Sequence, residues 1–136
     1  MMAFALTEDH KNAIWLINAR SGKLITTIHT DAVPLALENI IEKDLLIATC
    51  ADMTMITISL DDPMPSKKFL IQSVWPTSGA QMSLAWISSN QILYSGSTSG
   101  AIHAWDIRRK TAVATLKGHT DIVMCLMGLT KLDNLV

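Results

Sequence analysis

The chain has 136 residues, of which 49% are hydrophobic, enough for one core of ordinary size. Its formal net charge of −1 gives no bulk attraction to nucleic acid or to membrane surfaces. Charged residues make up only 17% of the chain, against about 25% in typical domains. This deficit is expected of a part of a larger body, whose faces are covered by neighbouring parts.

The two cysteines, Cys50 and Cys125, lie in apolar, strand-like runs and lack metal-ligand spacing. We therefore expect both to be buried, reduced thiols. The long uncharged stretches contain Thr, Ser, Gln and Pro, so no transmembrane helix is expected. Residues 1–6 lack the basic start and the apolar length of a signal peptide. The expected location is the cytoplasm.

Short apolar runs separated by turn-forming residues predict consecutive antiparallel strands along the chain. The predicted strands span residues 1–7, 12–18, 24–28, 33–39, 45–50, 55–60, 69–75, 82–88, 92–95, 101–105 and 112–116. Two prolines predict a loop over residues 61–66.

The sequence contains an internal repeat. Residues 12–28 align with residues 100–116 at an offset of 88, with four identical positions that include Arg20 and Arg108. A gap of two residues then aligns two His-Thr-Asp triplets, at 29–31 and 119–121. The offset equals two periods of 44, which indicates stacked or radial repeats with a whole repeat in between. The predicted division is a partial repeat at 1–30, repeats at 31–76 and 81–117, and the start of another at 118–136.

Residues 36–46 have a second interpretation, because their apolar residues recur at helical spacing. The register of the repeats favours two strands joined by a turn at 42–44, and tertiary context commonly overrides helix propensity.

The pair Trp105-Asp106 is followed about a dozen residues later by Gly118-His119. This spacing resembles the WD40 repeat, whose signature is a Trp-Asp pair and a Gly-His pair. The resemblance implies an all-β fold, a partial β-propeller of four-stranded antiparallel WD40-type blades. Closed propellers have about 4–8 blades of about 40–45 residues each, so the chain corresponds to about three blades.

The resemblance also implies a buried hydrogen-bonded network in each blade, in which a strand Ser or Thr, a His and an Asp support the Trp. In the last full repeat Ser95 or Ser97 is the strand hydroxyl, and Ser99 stands where the family usually has Asp. In the preceding repeat the network is expected from Thr49, Asp52 and His29, with Ile58 or Leu60 in place of the Trp. The remaining signature residues with a structural role are Trp105, Asp106, Gly118, His119 and Asp121.

The sequence gives no motif for catalysis. The segment 96–100 has Thr98 where a nucleophile elbow needs Ser, a strand follows where that motif needs a helix, and no P-loop Gly-Lys-Ser/Thr follows. None of the four histidines has a His or Cys at metal-ligand spacing. We expect no enzyme activity, cofactor or metal, a strand position at a blade edge for His103, and core positions for Trp75 and Trp86.

The resemblance implies a protein-interaction scaffold, and the large, apolar, degenerate repeats are similar to those of cytoskeletal and ciliary WD-repeat proteins. The implied partners are other proteins and neighbouring propeller blades, in cis or in trans. Two alternatives remain: an enzyme whose catalytic residues lie outside these blades, and a fragment without a function of its own.

Basic residues gather at the predicted hairpins between third and fourth strands. They are Arg20, Lys23, Lys67, Lys68, Arg108, Arg109 and Lys110. Lys and Arg are common at any solvated turn, which is the simpler explanation. The functional hypothesis is that these tips dock an acidic protein surface. Nucleic acid is not expected as a partner, because few aromatic residues are interleaved with the charges.

Overall fold

The computed structural model describes residues 2–8, 11–60 and 71–126, and this part of the chain is built of β-strands without an α-helix. The strands are β1 (Met2–Glu8), β2 (Lys11–Ile17), β3 (Leu24–Thr30), β4 (Pro34–Ile40), β5 (Leu45–Cys50), β6 (Thr54–Ser59), β7 (Ile71–Pro76), β8 (Gln81–Ile87), β9 (Ile92–Ser97), β10 (Ala101–Asp106) and β11 (Thr111–Lys117). A short 3-10 turn at Ile41–Lys43 joins β4 to β5. The strands divide between two compact units, Met1–Ala80 and Gln81–Val136.

The first unit contains two antiparallel sheets, of strand order β1-β2-β3 and β4-β5-β6-β7. Strands β5 and β6 are buried on both faces, which explains the nearly continuous apolar sequence of β5. β4 contacts both β1 and β2, so the two sheets share one core. The fully or nearly fully buried members of this core are Ile14, Leu16, Ile28, Leu46, Ala48, Cys50, Ile56 and Ile58.

The second unit contains one antiparallel sheet of strand order β11-β10-β9-β8. β10 is mostly buried, whereas every residue of β11 is exposed. After β11 the chain returns along this sheet and is fixed there by Val123. The Val123 carbonyl accepts a hydrogen bond from Ser83 Oγ (3.0 Å), and its N–H donates to the Ser97 carbonyl (3.1 Å).

In each of the three described sheets, the pairing between the last two strands is interrupted at the same relative position. A β-bulge lies between Leu16 and Ile17, between Thr57 and Ile58, and between Ala104 and Trp105. Ile17, Ile58 and Trp105 therefore hold equivalent positions. The repeats predicted at an offset of 88 are confirmed by this register, although the two intervals are 41 and 47 residues and not 44 each.

The predicted all-β fold is confirmed, and each described strand lies within a few residues of its predicted position. The helical alternative for residues 36–46 is wrong, because β4 and β5 pair with each other across the turn. The predicted loop at 61–66 and the end of the fourth repeat lie outside the described residues. The expectation that Cys125 is buried is wrong: this residue is exposed, and it is Val123 in the same segment that is buried against the sheet.

The turn between β9 and β10 depends on a glycine. Gly100 has a φ of 88°, in the left-handed region that glycine adopts without steric cost. A Cβ at this position would lie 2.4 Å from the carbonyl oxygen of His119 and 2.8 Å from that of Asp121. The returning segment therefore lies directly against the turn, and only glycine leaves room for it.

We expect Gly100→Ala to lower the free energy of unfolding by about 2 kcal/mol or more, because a backbone clash adds to the unfavourable φ. Gly22→Ala is the matched control: its φ is 73°, and no atom lies within 4 Å of the added Cβ. That variant should lose only the conformational cost, about 1 kcal/mol. Denaturant unfolding of the full-length protein measures both, and equal losses would contradict the close approach at Gly100.

Candidate functional site

A chain of buried hydrogen bonds crosses three strands of the second unit. Trp105 Nε1 on β10 donates to Ser95 Oγ on β9 (2.7 Å), and Ser95 Oγ donates to Gln81 Oε1 on β8 (2.5 Å). The exposed fraction is 4% for Trp105 and 0% for both Ser95 and Gln81. A buried indole N–H or hydroxyl without a partner costs about 1–3 kcal/mol, so each bond satisfies a group that has left water.

Gln81 is the member of this network that the sequence analysis missed. Its amide oxygen accepts the Ser95 hydroxyl, in a network for which the resemblance implies a histidine. The only sequence signal was a polar residue at the edge of a predicted apolar strand, which does not distinguish a buried side chain from an exposed one. Because Gln81, Ser95 and Trp105 do not ionise near neutral pH, this network keeps its protons in place there.

Ser97 and Ser99 form a separate contact at the end of β9. Their hydroxyl oxygens are 2.6 Å apart, and the backbone N–H of Ser99 also donates to Ser97 Oγ (3.3 Å). Of the two hydroxyls considered for the Trp, it is therefore Ser95 that accepts the indole N–H. Ser97 instead contacts Ser99 in the turn before β10, and Ser99 stands where the resemblance implies an Asp.

The equivalent positions in the first unit carry no such network. The strand registers place Pro34, Ala48 and Ile58 where the second unit has Gln81, Ser95 and Trp105. None of the three has a side-chain polar atom, and Ala48 and Ile58 are buried in the core of the first unit. It is Ile58, and not Leu60, that stands at the Trp position.

Of the residues predicted to form a network in the first unit, Thr49 does not occupy the position equivalent to Ser95. Thr49 is one residue beyond the position of Ser95 and is aligned with Gly96. Asp52 Oδ1 accepts a hydrogen bond from Thr54 Oγ1 (2.6 Å), and His29 is exposed on β3. The register turns Thr49 to the opposite face of β5 from the one that the prediction required.

Asp106 closes the hairpin between β10 and β11 and takes no part in the Trp105 network. Its Oδ1 accepts hydrogen bonds from the backbone N–H groups of Arg108 (3.0 Å) and Arg109 (3.2 Å). Asn18 does the same at the equivalent position, where its Oδ1 accepts from Arg20 N (2.9 Å) and Ser21 N (3.2 Å). Asp and Asn favour such turns because their side chains bond the backbone two residues on.

The basic residues at these two hairpins are solvent-exposed. They are Arg20 and Lys23 between β2 and β3, and Arg108, Arg109 and Lys110 between β10 and β11. Arg109 Nε lies 3.9 Å from Asp106 Oδ2, but the Arg109 side chain is 80% exposed, so this ion pair is weak. Lys67 and Lys68 lie outside the described residues.

The other signature residues lie in the returning segment after β11. Gly118, His119 and Asp121 are all exposed. His119 and Asp121 face Gly100 through their backbone carbonyls, and Asp121 Oδ1 accepts the N–H of Ile122 (2.7 Å). Within the described part of the chain, His119 and Asp121 thus help to set the path of the backbone over the turn between β9 and β10.

Two titratable groups are altered by burial. Burial raises the pKa of the Cys50 thiol to about 11, and the nearby charge of Asp52 adds to this shift. Cys50 is therefore protonated at neutral pH and is not a nucleophile. Burial lowers the pKa of His103, whose Nδ1 lies 3.2 Å from Thr115 Oγ1. His103 is buried on β10, between two strands, and not at a sheet edge.

The described residues show no catalytic or metal-binding constellation. No group of three or more His, Cys, Asp or Glu side chains in that part of the chain is arranged to hold a metal ion. None of the described segments forms a helix of the length and hydropathy that crossing a membrane requires. Trp75 is buried as expected of a core residue, and Trp86 is half-buried.

We expect Trp105→Ala to lower the free energy of unfolding by about 3–5 kcal/mol, because it opens a cavity and leaves Ser95 without its donor. Trp105→Phe keeps most of the ring and removes only the N–H, so its loss should be smaller, about 1–3 kcal/mol. Denaturant unfolding of the full-length protein measures both. A loss below about 1 kcal/mol for the alanine variant would mean that the indole is not buried against Ser95.

We expect the stability of the protein to fall as the pH drops through the unfolded-state pKa of His103, about 6.5. The folded state lowers this pKa, so the neutral imidazole stabilises the fold above that pH and protonation favours unfolding below it. His103→Asn should flatten the stability curve between about pH 7 and pH 5. His119→Asn, which makes the same substitution at an exposed residue, is measured alongside as the matched variant. Equal slopes for wild type and His103→Asn would contradict the prediction.

No protein-family model matches the chain. No curated protein matches it either. Solved structures do match. A chain in the crystal structure of a mitotic checkpoint complex aligns with 92% of this chain at 24% identity and a TM-score of 0.72. Sqt1 of Saccharomyces cerevisiae aligns with 88% at 14% identity and the same TM-score of 0.72, and the RRP9 WD40 repeats align with 69% at 21% identity and a TM-score of 0.57.

The chain spans about a third of the length of these proteins: 36% of the checkpoint-complex chain, 36% of Sqt1 and 28% of the RRP9 chain. At these identities the likeness concerns the fold. Together with the recurring sheets, bulges and hairpins, it establishes that the chain folds as consecutive WD40-type blades of a β-propeller.

Proposed function

We propose that the protein is a non-catalytic scaffold that binds other proteins, and that the β10–β11 hairpin is its docking element. The observation that carries this proposal is the geometry of Asp106. Its carboxylate holds the backbone of the turn through Arg108 N and Arg109 N, which fixes the tip without engaging the Arg108 or Lys110 side chains. Three basic side chains thus stand exposed on a rigid support.

The chemistry of the tip favours a carboxylate-rich partner. Arg108, Arg109 and Lys110 outnumber the single carboxylate of Asp106, and that carboxylate is already used by the backbone. Arginine pairs with carboxylates through two parallel hydrogen bonds, which adds geometric specificity to the attraction. A preformed tip also loses little conformational entropy on binding. We infer that an acidic protein surface docks here, steered by charge.

The β2–β3 hairpin of the first unit has the same design. Asn18 replaces Asp106 in capping the turn, so the exposed cations Arg20 and Lys23 have no carboxylate in their own turn. Each hairpin is a separate small basic site in its own unit. The capping side chain and the exposed cations recur together in both hairpins. This repetition favours a role in binding over a chance enrichment of Lys and Arg at solvated turns.

The finer proposal is that this scaffold works in the cytoplasm, in a cytoskeletal or ciliary assembly. Its support is the resemblance of the apolar, degenerate repeats to those of cytoskeletal and ciliary WD-repeat proteins. The structural likeness to a chain of a mitotic checkpoint complex supports the broader role in a protein assembly. Co-sedimentation of the full-length protein with a cytoskeletal fraction tests the finer proposal, and its recovery only in the soluble fraction would contradict it.

We expect Arg108→Glu to weaken binding of the full-length protein to poly-L-glutamate by about two- to tenfold, because it converts an attraction into a repulsion. Lys43→Glu is the matched control, since it makes the same charge change at an exposed residue of the β4–β5 turn. It should leave the affinity nearly unchanged. Fluorescence anisotropy at increasing salt measures both effects, and the wild-type affinity should fall as salt screens the charges. Equal weakening by both variants would mean that only net charge matters and would contradict a docking hairpin.

A further inference from the structure

None of the described strands pairs with the outer edge of β11. This strand lies at the end of the sheet β11-β10-β9-β8, so a described strand pairs with only one of its two edges. All seven residues of Thr111–Lys117 are exposed, and Val113 and Leu116 are each 53% exposed despite their apolar side chains. Among the strands whose side chains are all described, β11 alone is exposed at every position.

The sequence of β11 lacks the features that usually block an open edge. Natural edge strands carry charges or prolines that prevent pairing with another chain. Residues 111–116 contain neither, and Thr111, Val113 and Thr115 favour the extended conformation. The outer strand of the other four-stranded sheet, β7, ends in Pro76. The bulge at Val113 has counterparts in β3 and β7, so it is a feature of the last hairpin of every described sheet. After the bulge, Ala114–Lys117 pair with β10 in regular register.

The charges at the two ends of β11 select the strand that can be added. Arg108, Arg109 and Lys110 precede the strand, and Lys117 ends it. If two copies of β11 paired antiparallel, Lys110 of one copy would lie near Lys117 of the other. Like charges placed opposite each other on paired strands are destabilising. The edge therefore disfavours a second copy of this chain and fits a strand with acidic residues at both ends.

We propose that the β11 edge binds an extended segment of a partner protein by strand addition, and that this segment is uncharged in the middle and acidic at both ends. The main-chain N–H and C=O groups of β11 supply affinity, and the basic ends supply specificity. This inference rests on the proposed function, because one acidic end contacts the β10–β11 hairpin. It adds the binding mode and the form of the partner: an extended strand, and not a folded acidic surface.

The test uses the full-length protein and a synthetic peptide of sequence Glu-Asp-Thr-Val-Thr-Val-Thr-Asp-Glu. A second peptide of the same sequence carries N-methyl groups on its consecutive central residues, so that neither of its edges can donate hydrogen bonds. Both peptides have the same charges. We expect the methylated peptide to bind about tenfold or more weakly, since several main-chain hydrogen bonds are lost. Binding of the first peptide should also slow amide hydrogen exchange within Thr111–Lys117.

The outcomes separate this inference from the proposed function. Equal affinity of the two peptides, or unchanged exchange within β11, would overturn strand addition. If Arg108→Glu still weakened binding in that case, docking to the hairpin would stand. If the first peptide did not bind, strand addition would fail, and the binding of poly-L-glutamate would decide whether docking to the hairpin stands. If Arg108→Glu had no effect on the binding of either ligand, the proposed function would fail as well. Weaker binding of the methylated peptide, together with slower amide exchange in β11, would support both strand addition and the proposed function.

Discussion

The indole N–H of Trp105 is removed from water when β10 pairs into its sheet. The register of the strands in the second unit depends on which group accepts the hydrogen bond from that N–H. Its acceptor is Ser95 on the neighbouring strand, and the Ser95 hydroxyl in turn donates to Gln81 on the strand beyond. A slip of one residue between these strands would turn Ser95 to the other face and leave the indole unpaired. The hydrogen-bond chain therefore fixes the register of β8, β9 and β10, while every residue of β11 is exposed.

The first unit shows that the same sheet forms without this chain. Ala48 and Ile58 fill the equivalent positions and pack into a shared apolar core. The two four-stranded sheets share two backbone features. One is the bulge, at Ile58 in the first unit and at Trp105 in the second, and the other is a residue of positive φ after the second strand, Met53 in the first unit and Gly100 in the second. The hairpin tips lie outside both cores. Their side chains can thus serve binding without a cost to the packing inside.

Much of the fold could be predicted from the sequence, because alternating and continuous apolar runs mark strands and because two repeats still share residues such as Arg20 and Arg108. The offset between those repeats predicted the common register correctly. The polar interior was less predictable. Thr49 lies one position away from the equivalent of Ser95, and Gln81 is a buried amide in a network for which the resemblance implies a histidine. Both depend on which face a strand presents, which no single residue reveals. For the candidate site, the sequence located the basic residues, whereas the capping by Asp106 and the open edge of β11 required the structure.

The proposed function places acidic partners at the basic hairpins and not at the turns at the other end of the sheets. The most direct measurement is a residue-by-residue map of amide chemical shifts in the full-length protein as poly-L-glutamate is added at low salt. The account predicts shifts concentrated at Arg20–Lys23 and Arg108–Thr111, which disappear at high salt. Shifts confined to the turns at Ala51–Met53 and Thr98–Gly100, or shifts that persist at high salt, would contradict it.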